Sequence, residues 1–260
     1  MIFFLLACAI NLSELRSARV LDRGESQLTR GNDVVVPIAG VRQTIRSGVD
    51  LAEGLSDDEE LSAAEEDTLL SGVTSVALTS PGYGTWLEYS RGLGRDVDAS
   101  VRIGNGIYGL GARYGLDREP WFANVGLRTA YNTGGTWSGL LDTFNGFVKV
   151  SELKRADITL IAQGGVEMGE WVRAWAGVKH MWSPYSLEVN ASAIDRGVDT
   201  ATGTLHYSGG FLGGGVGFRW VHLVGELSVI RARGEVDIFG DVHDLSGLIL
   251  APSWGLQGTF

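Results

Sequence analysis

The sequence predicts an all-β fold, a transmembrane up-and-down antiparallel barrel of about ten strands, with eight and twelve as neighbouring counts. Three observations carry this. From Tyr83 onward, segments of about ten residues alternate apolar with small or polar side chains at period two. The apolar face is bordered at strand ends by Tyr83, Tyr89, Tyr108, Tyr114, Trp121, Tyr131 and Trp220, while the other face is Gly, Ser, Asn and charge. That is the inverse of a water-soluble core, and it carries an aromatic girdle. Connections alternate between short and long. A soluble β-sandwich is the competing fold, but its inner face would be apolar.

The strands fall near 25–41, 82–91, 96–104, 106–117, 120–132, 156–167, 170–182, 204–220, 221–236 and 246–260. Val97, Ala99, Val101 and Ile103 share one face, with Asp98, Ser100 and Arg102 on the other. Val172, Ala174, Ala176 and Val178 likewise oppose Trp171, Arg173, Trp175, Gly177 and Lys179. One set of connections is tight: Gly92–Arg95, Asp117–Glu119, Glu167–Gly169 and Trp220–Val221. The other set is 42–81, Asn105, 133–155, 183–203 and 237–245, mostly long. Short periplasmic turns with long outer loops are the bacterial outer-membrane pattern. An even strand count then places both chain ends of the barrel, 25–260, in the periplasm. The stretches 70–80 and 144–151 are candidates to extend or add a strand.

Composition narrows the function classes. The 260 residues carry a net charge of −10, 38 glycines and one cysteine. A single cysteine excludes a disulfide framework and a cysteine-based zinc cluster, and acidity argues against nucleic acid as a partner. Nine acids lie between Val49 and Thr68 without a Lys or Arg, so the rest of the chain is nearly neutral. These acids sit in the first long loop, 42–81, expected outside the cell. Ser56 and Glu59 form a capping-box pattern there, with Gly72 as a stop, which predicts a short helix over 57–71. Divalent cations are a candidate partner of this acidic loop, although its spacing is not that of an EF-hand. No resident metal or cofactor is expected.

The ends of the chain carry further signals. Met1 to Cys8 is an apolar run, and Leu5-Leu6-Ala7-Cys8 resembles the lipobox of bacterial lipoproteins. That resemblance implies cleavage of a signal over 1–8 and lipidation of Cys8; the run is short and lacks a preceding Lys or Arg. Residues 9–24 are then expected as a periplasmic segment. Ser17-Ala-Arg-Val-Leu-Asp-Arg-Gly-Glu25 before the first strand resembles the opening of small Gram-negative outer-membrane barrels with lipoprotein signals. The last strand ends with Trp254, Leu256 and Phe260 on one face, which resembles the signal read by the barrel assembly machinery. Membrane lipid and lipopolysaccharide are the remaining expected partners.

Candidates for chemistry are few. The inward face carries Glu88, Asp98, Arg102, Arg113, Arg128, Glu167, Arg173, Lys179, Arg219 and Glu226. In so narrow a barrel these side chains nearly fill the lumen and must pair or meet water. The leading expectation is therefore a structural or interaction barrel with an ion-paired lumen and no catalysis. A narrow channel or binding site for a small solute is the first alternative. The second is a hydrolase: Asp241 and His243 match the Asp-x-His spacing of the omptin proteases, also ten-stranded barrels, with Asp57 and Asp58 as possible facing acids. His180-Met-Trp-Ser183 bears a slight likeness to the His/Ser sites of lipid A deacylases, at the wrong spacing.

Overall fold

The computed structural model describes residues 12–54, 61–79, 81–104, 106–132, 144, 147–194 and 196–260, apart from the side chains of Ala39 and Asp117. Cys8, Ser56, Asp57 and Asp58, on which the lipidation signal, the capping box and the facing acids rest, lie outside the described residues.

Ten strands close into one antiparallel barrel. In chain order the elements are β1 (Ser26–Ala39), α1 (Val41–Gly54), α2 (Ala63–Thr79), β2 (Gly82–Gly92), β3 (Val97–Gly104), β4 (Ile107–Arg118), β5 (Trp121–Asn132), β6 (Lys149–Met168), β7 (Val172–Asn190), β8 (Val198–Phe218), β9 (Val221–Arg233), β10 (Glu235–Ile238), β11 (Asp241–Asp244) and β12 (Gly247–Thr259). Neighbours in sequence are neighbours in the wall, and β1 pairs with β12 to close it. β10 and β11 form a separate hairpin above the wall. Among the described helices, none is long and apolar enough to cross a membrane.

The outward face is apolar over most of the wall, with Arg30 of β1, between Leu87 and Leu256, as an exposed exception. Leu110, Leu116, Val125, Leu127, Val178, Leu212 and Leu223 are all exposed. Trp121 and Tyr131 bound this belt on β5 and are ten residues apart. At ~3.4 Å per residue and a tilt of about 40°, that separation spans roughly 26 Å, the height of a membrane barrel's apolar band. A wall this apolar is stable only against lipid, so the fold is that of a membrane barrel.

Strands β2 to β5 end within a residue or two of their expected limits. β6, β7 and β8 are longer than expected, starting at Lys149, ending at Asn190 and starting at Val198. Above the belt the inward side chains of these arms turn apolar: Leu153, Tyr185, Leu187, Val189 and Leu205 are buried. They enclose α2, whose residues from Leu69 to Thr79 are almost all buried. The sequence pattern predicts a helix at 57–71 with 70–80 as a candidate strand; instead α2 runs from 63 to 79, because an apolar arm waits on every side of it. The start of α2 carries a capping box of Ser62 and Glu65. The Glu65 carboxylate accepts from the Ser62 N–H at 2.8 Å and its hydroxyl at 2.6 Å. α1 has no counterpart among the expected elements. It buries Val41, Ile45, Gly48 and Ala52 and crosses α2 where Gly48 meets Gly72: a Cβ on either would lie 2.9 Å from the other's Cα.

Candidate functional site: the occupied lumen

The inward glycines make room for aromatic rings. Trp86 lies over its cross-strand neighbour Gly31, Trp175 over Gly213, Phe211 over Gly177 and Tyr185 over Gly203. A Cβ at Gly31 or Gly213 would fall 2.2 Å from the facing indole. Rings laid flat against the wall leave an axial channel.

That channel is filled by the chain itself. Residues 12–21 run down the inside of the barrel from the cap end, and Leu12, Ser13, Leu15, Ala18, Val20 and Leu21 are each at most 3% exposed. This corrects the expectation of a periplasmic segment over 9–24: the described part from Leu12 to Leu21 is luminal. The reason is hydrogen bonding to its backbone, which side-chain patterning does not reveal. Arg102 donates to the Ser13 carbonyl at 2.9 Å, Arg113 to Ser17 at 2.8 Å and Asn124 to Ala18 at 2.7 Å. Gln163 donates to Ser17 at 3.1 Å, Gln257 to Leu15 at 3.2 Å, and Lys179 to Leu12. The backbone N–H groups are met as well. Glu226 accepts from Glu14 at 3.1 Å and Leu15 at 3.0 Å, and Asp98 accepts from Leu21 at 3.2 Å. An irregular segment without a sheet partner thus has its polar groups paired by the wall.

Charges bind the same segment. Arg16 bridges Asp98 at 2.9 Å and Glu88 at 3.4 Å. Glu14 receives both terminal nitrogens of Arg128, at 2.9 and 3.1 Å. Within the wall, Glu88 pairs with Arg102 at 2.7 Å, Asp98 with Arg113 at 2.7 Å and Glu226 with Lys179 at 3.6 Å. Low on the wall, Glu167 is 3.3 Å from Arg19 and 3.8 Å from Arg173. The inward charges expected from the sequence therefore meet around the segment, except Arg219. Parity assigns it to the lumen, but β8 stops at Phe218. Arg219 turns outward at φ 52° and stacks over Phe218 at 4.9 Å. Sequence reasoning also misses Asn124, Gln163 and Gln257. Their only signal is an inward amide on each of β5, β6 and β12, with Asn124 and Gln163 paired across strands.

Leu12 joins the apolar cluster that contains α2, so segment and helix are continuous. The α2 C-terminus is closed by Tyr207, whose hydroxyl donates to the Leu78 carbonyl at 3.1 Å, and by Arg155 at 3.4 Å. Two buried threonines of α2 return their hydroxyls to its own carbonyls, Thr74 to Leu70 at 2.7 Å and Thr79 to Ser75 at 2.6 Å.

The rim candidates also contact α2. His243 Nδ1 lies 3.4 Å from Asp67, and Arg196 links Glu66 at 2.8 Å to Asp241 at 3.7 Å. The His243 ring is enclosed at 4% exposure, which does not suit a base that must meet an external substrate. Ser183 points inward to Asp157 at 2.5 Å, while His180 points outward to Ser208 at 2.6 Å, so these two do not meet. Among the described residues, no group of three or more His, Cys, Asp or Glu is placed to hold a metal ion.

The fold and its contents define a closed membrane β-barrel whose lumen holds its own N-terminal segment. No family model matches the chain, and no curated protein does. Among solved structures it aligns with the attachment invasion locus protein Ail of Yersinia pestis at 9% identity and TM-score 0.33, over 92% of this chain and 99% of that one. It also aligns with the Neisserial surface protein NspA at 10% and 0.35, over 91% and 96%. The third is OprB of Pseudomonas putida at 8% and 0.24, over 91% and 94%. Likeness at these scores is too distant to assign a role, which has to be read from this chain's own geometry.

Proposed function

We propose that the protein is a bacterial outer-membrane barrel with a structural or interaction role, closed to solutes by residues 12–21 and crowned by the α1–α2 cap. The carrying observation is the occupied lumen: Glu226, Asp98, Arg102 and Arg113 hold the segment by its backbone, and α2 sits above it. The apolar belt supports membrane residence. The short turns share one end with Ser26 and Phe260, whose backbones exchange hydrogen bonds at 2.8 Å. In the orientation proposed, that end faces the periplasm and the cap faces outward, where a partner would meet it. Trp254, Leu256 and Phe260 would serve recognition by the assembly machinery.

Two measurements test this. The unboiled protein from outer-membrane fractions should migrate differently from the boiled one; an unshifted band in the soluble fraction overturns the membrane reading. In planar bilayers the intact barrel should show no steady conductance, and a chain lacking residues 12–21 should conduct. Steady conductance from the intact barrel overturns the closed state.

A further inference from the structure

We infer that the outer wall carries a site for one membrane lipid with a net-anionic phosphate headgroup, the headgroup held by Arg231, Arg233, His180 and His206 and an acyl chain lying in the groove below. The inference deepens the membrane reading above and rests on it.

Two independent features meet here. The first is a depression in the belt across β4 to β7, about 640 Å³ in its upper part and bounded there by Tyr114, Val125, Leu160 and Val178. Below, it continues as a second stretch of about 620 Å³ past Ala123, Gly164 and Ala176. Alanine and glycine form its floor, while Tyr114, Val125 and Val178 stand at its sides. From the level of Leu127 to that of Ala123 is four residues, roughly 14 Å of groove along the strand. Ala112, Ala123, Ala162, Gly164 and Ala176 line it, so an acyl chain can lie here below the level of the flanking large side chains.

The second feature stands at the upper end of the groove. His180 lines the groove and is paired across to Ser208 of β8, which is paired in turn to Arg231 of β9. One step higher, Trp182 faces His206, and His206 faces Arg233. His180 packs edge-on to Trp182 at 4.2 Å and lies 5.8 Å from the His206 ring. Both arginines are exposed, and among the described residues neither forms an ion pair. Two cations and two imidazoles on three adjacent strands, beside an interfacial tryptophan, form an anion site at the depth where headgroups lie. Lipid-facing charge is unfavourable deeper in the belt, and an arginine near the interface is stabilised by phosphate. A free phosphate ion would meet the cations but leave the groove empty, which is why the occupant is a lipid.

The test uses the intact barrel in nanodiscs of phosphatidylcholine doped with phosphatidylglycerol or lipopolysaccharide, followed by mass spectrometry of lipid retained after mild detergent extraction. One phosphate-anionic lipid should be retained per barrel, and phosphatidylcholine should not. The double variant Arg231→Ala/Arg233→Ala should lower retention by about tenfold or more, the scale of one lost charge-assisted hydrogen bond. Ala162→Phe, which fills the groove and leaves the arginines in place, should also lower it. Excess inorganic phosphate should not displace the lipid. Unchanged retention in both variants, equal retention of phosphatidylcholine, or displacement by free phosphate overturns the lipid site. A normal heat-dependent gel shift in every variant keeps that failure separate from failure of the membrane barrel itself.

Discussion

Replacing Glu226 with alanine is expected to release the luminal segment while leaving the wall closed. Glu226 is buried and accepts the backbone N–H groups of Glu14 and Leu15 at 3.1 and 3.0 Å. It also accepts Trp175 Nε1 at 3.3 Å and the Ser228 hydroxyl at 3.0 Å, but those groups belong to the wall in either state. Only the first two bonds are lost on undocking. A hydrogen bond to a charged group is worth about 1.5–3 kcal/mol, so docking weakens by about 3–6 kcal/mol. At about 1.36 kcal/mol per decade, the undocked population rises by roughly two to four orders of magnitude. The reporter is Ser17→Cys in a Cys8→Ser chain, titrated with a water-soluble thiol reagent. Ser17 is 6% exposed and should react slowly in the parent. Labelling should accelerate by at least about a hundredfold with Glu226→Ala, provided closing is fast relative to reaction. Glu226→Gln, which keeps an acceptor, should fall between. Equal labelling rates with an intact heat-dependent gel shift would refute the claim that these bonds hold the segment.

Gly213→Ala should lower the temperature at which the barrel loses its fast-migrating form, by the ~1–3 kcal/mol of an overpacked core. The new Cβ meets the Trp175 ring at 2.2 Å, and that ring is 2% exposed with nowhere to move. Outward Gly214→Ala, whose nearest neighbour would be 3.4 Å away, is the control and should change little. Gly48→Leu should separate α1 from α2 and expose 41–79 to limited proteolysis, because the helix backbones touch there; unchanged protection would sink that packing. The Ser62 hydrogen bonds hold the Glu65 carboxyl below its usual range. Its contribution to the α2 start is therefore present above the usual carboxylate pKa and fades as pH falls through the lowered value. Circular dichroism between pH 6 and about 2 should show helix loss in the parent that Glu65→Ala does not share.

The barrel's lower half is legible in the sequence because its alternation answers to a single contrast, lipid outside and a polar lumen inside. Strands β2 to β5 obey it without interruption. Above the belt the contrast inverts. Around Lys154 and Asp157 both faces are polar, and beyond them Leu187 and Val189 face inward onto α2, so patterning alone stops short of the true ends of β6 to β8. From Leu69 on, α2 has no period because it is buried all round, and α1 shows only a narrow stripe of Val41, Ile45 and Ala52. The luminal charges can be read by parity, except Arg219, which a two-residue turn reverses. The segment that occupies the lumen leaves no pattern at all. Its recognition runs through carbonyls and N–H groups, which every sequence possesses.

The occupied lumen also constrains the order in which the molecule can be made. The segment leads directly into β1, and β1 closes the wall only by pairing with β12, at the far end of the chain. This seam is the most sequence-distant contact in the fold, so closure comes late. Before it forms, Glu88 with Arg102, Asp98 with Arg113 and Glu226 with Lys179 already pair on an open, curling sheet. Residues 12–21 bridge strands as far apart as β2 and β9, through Arg16 to Glu88 and through the Glu14 and Leu15 N–H groups to Glu226. A ready-closed wall would have to admit Arg16 and Glu14 one after the other past its own ion pairs. The segment thus docks with least obstruction on the open sheet, while the pairs internal to the wall let the barrel close without it.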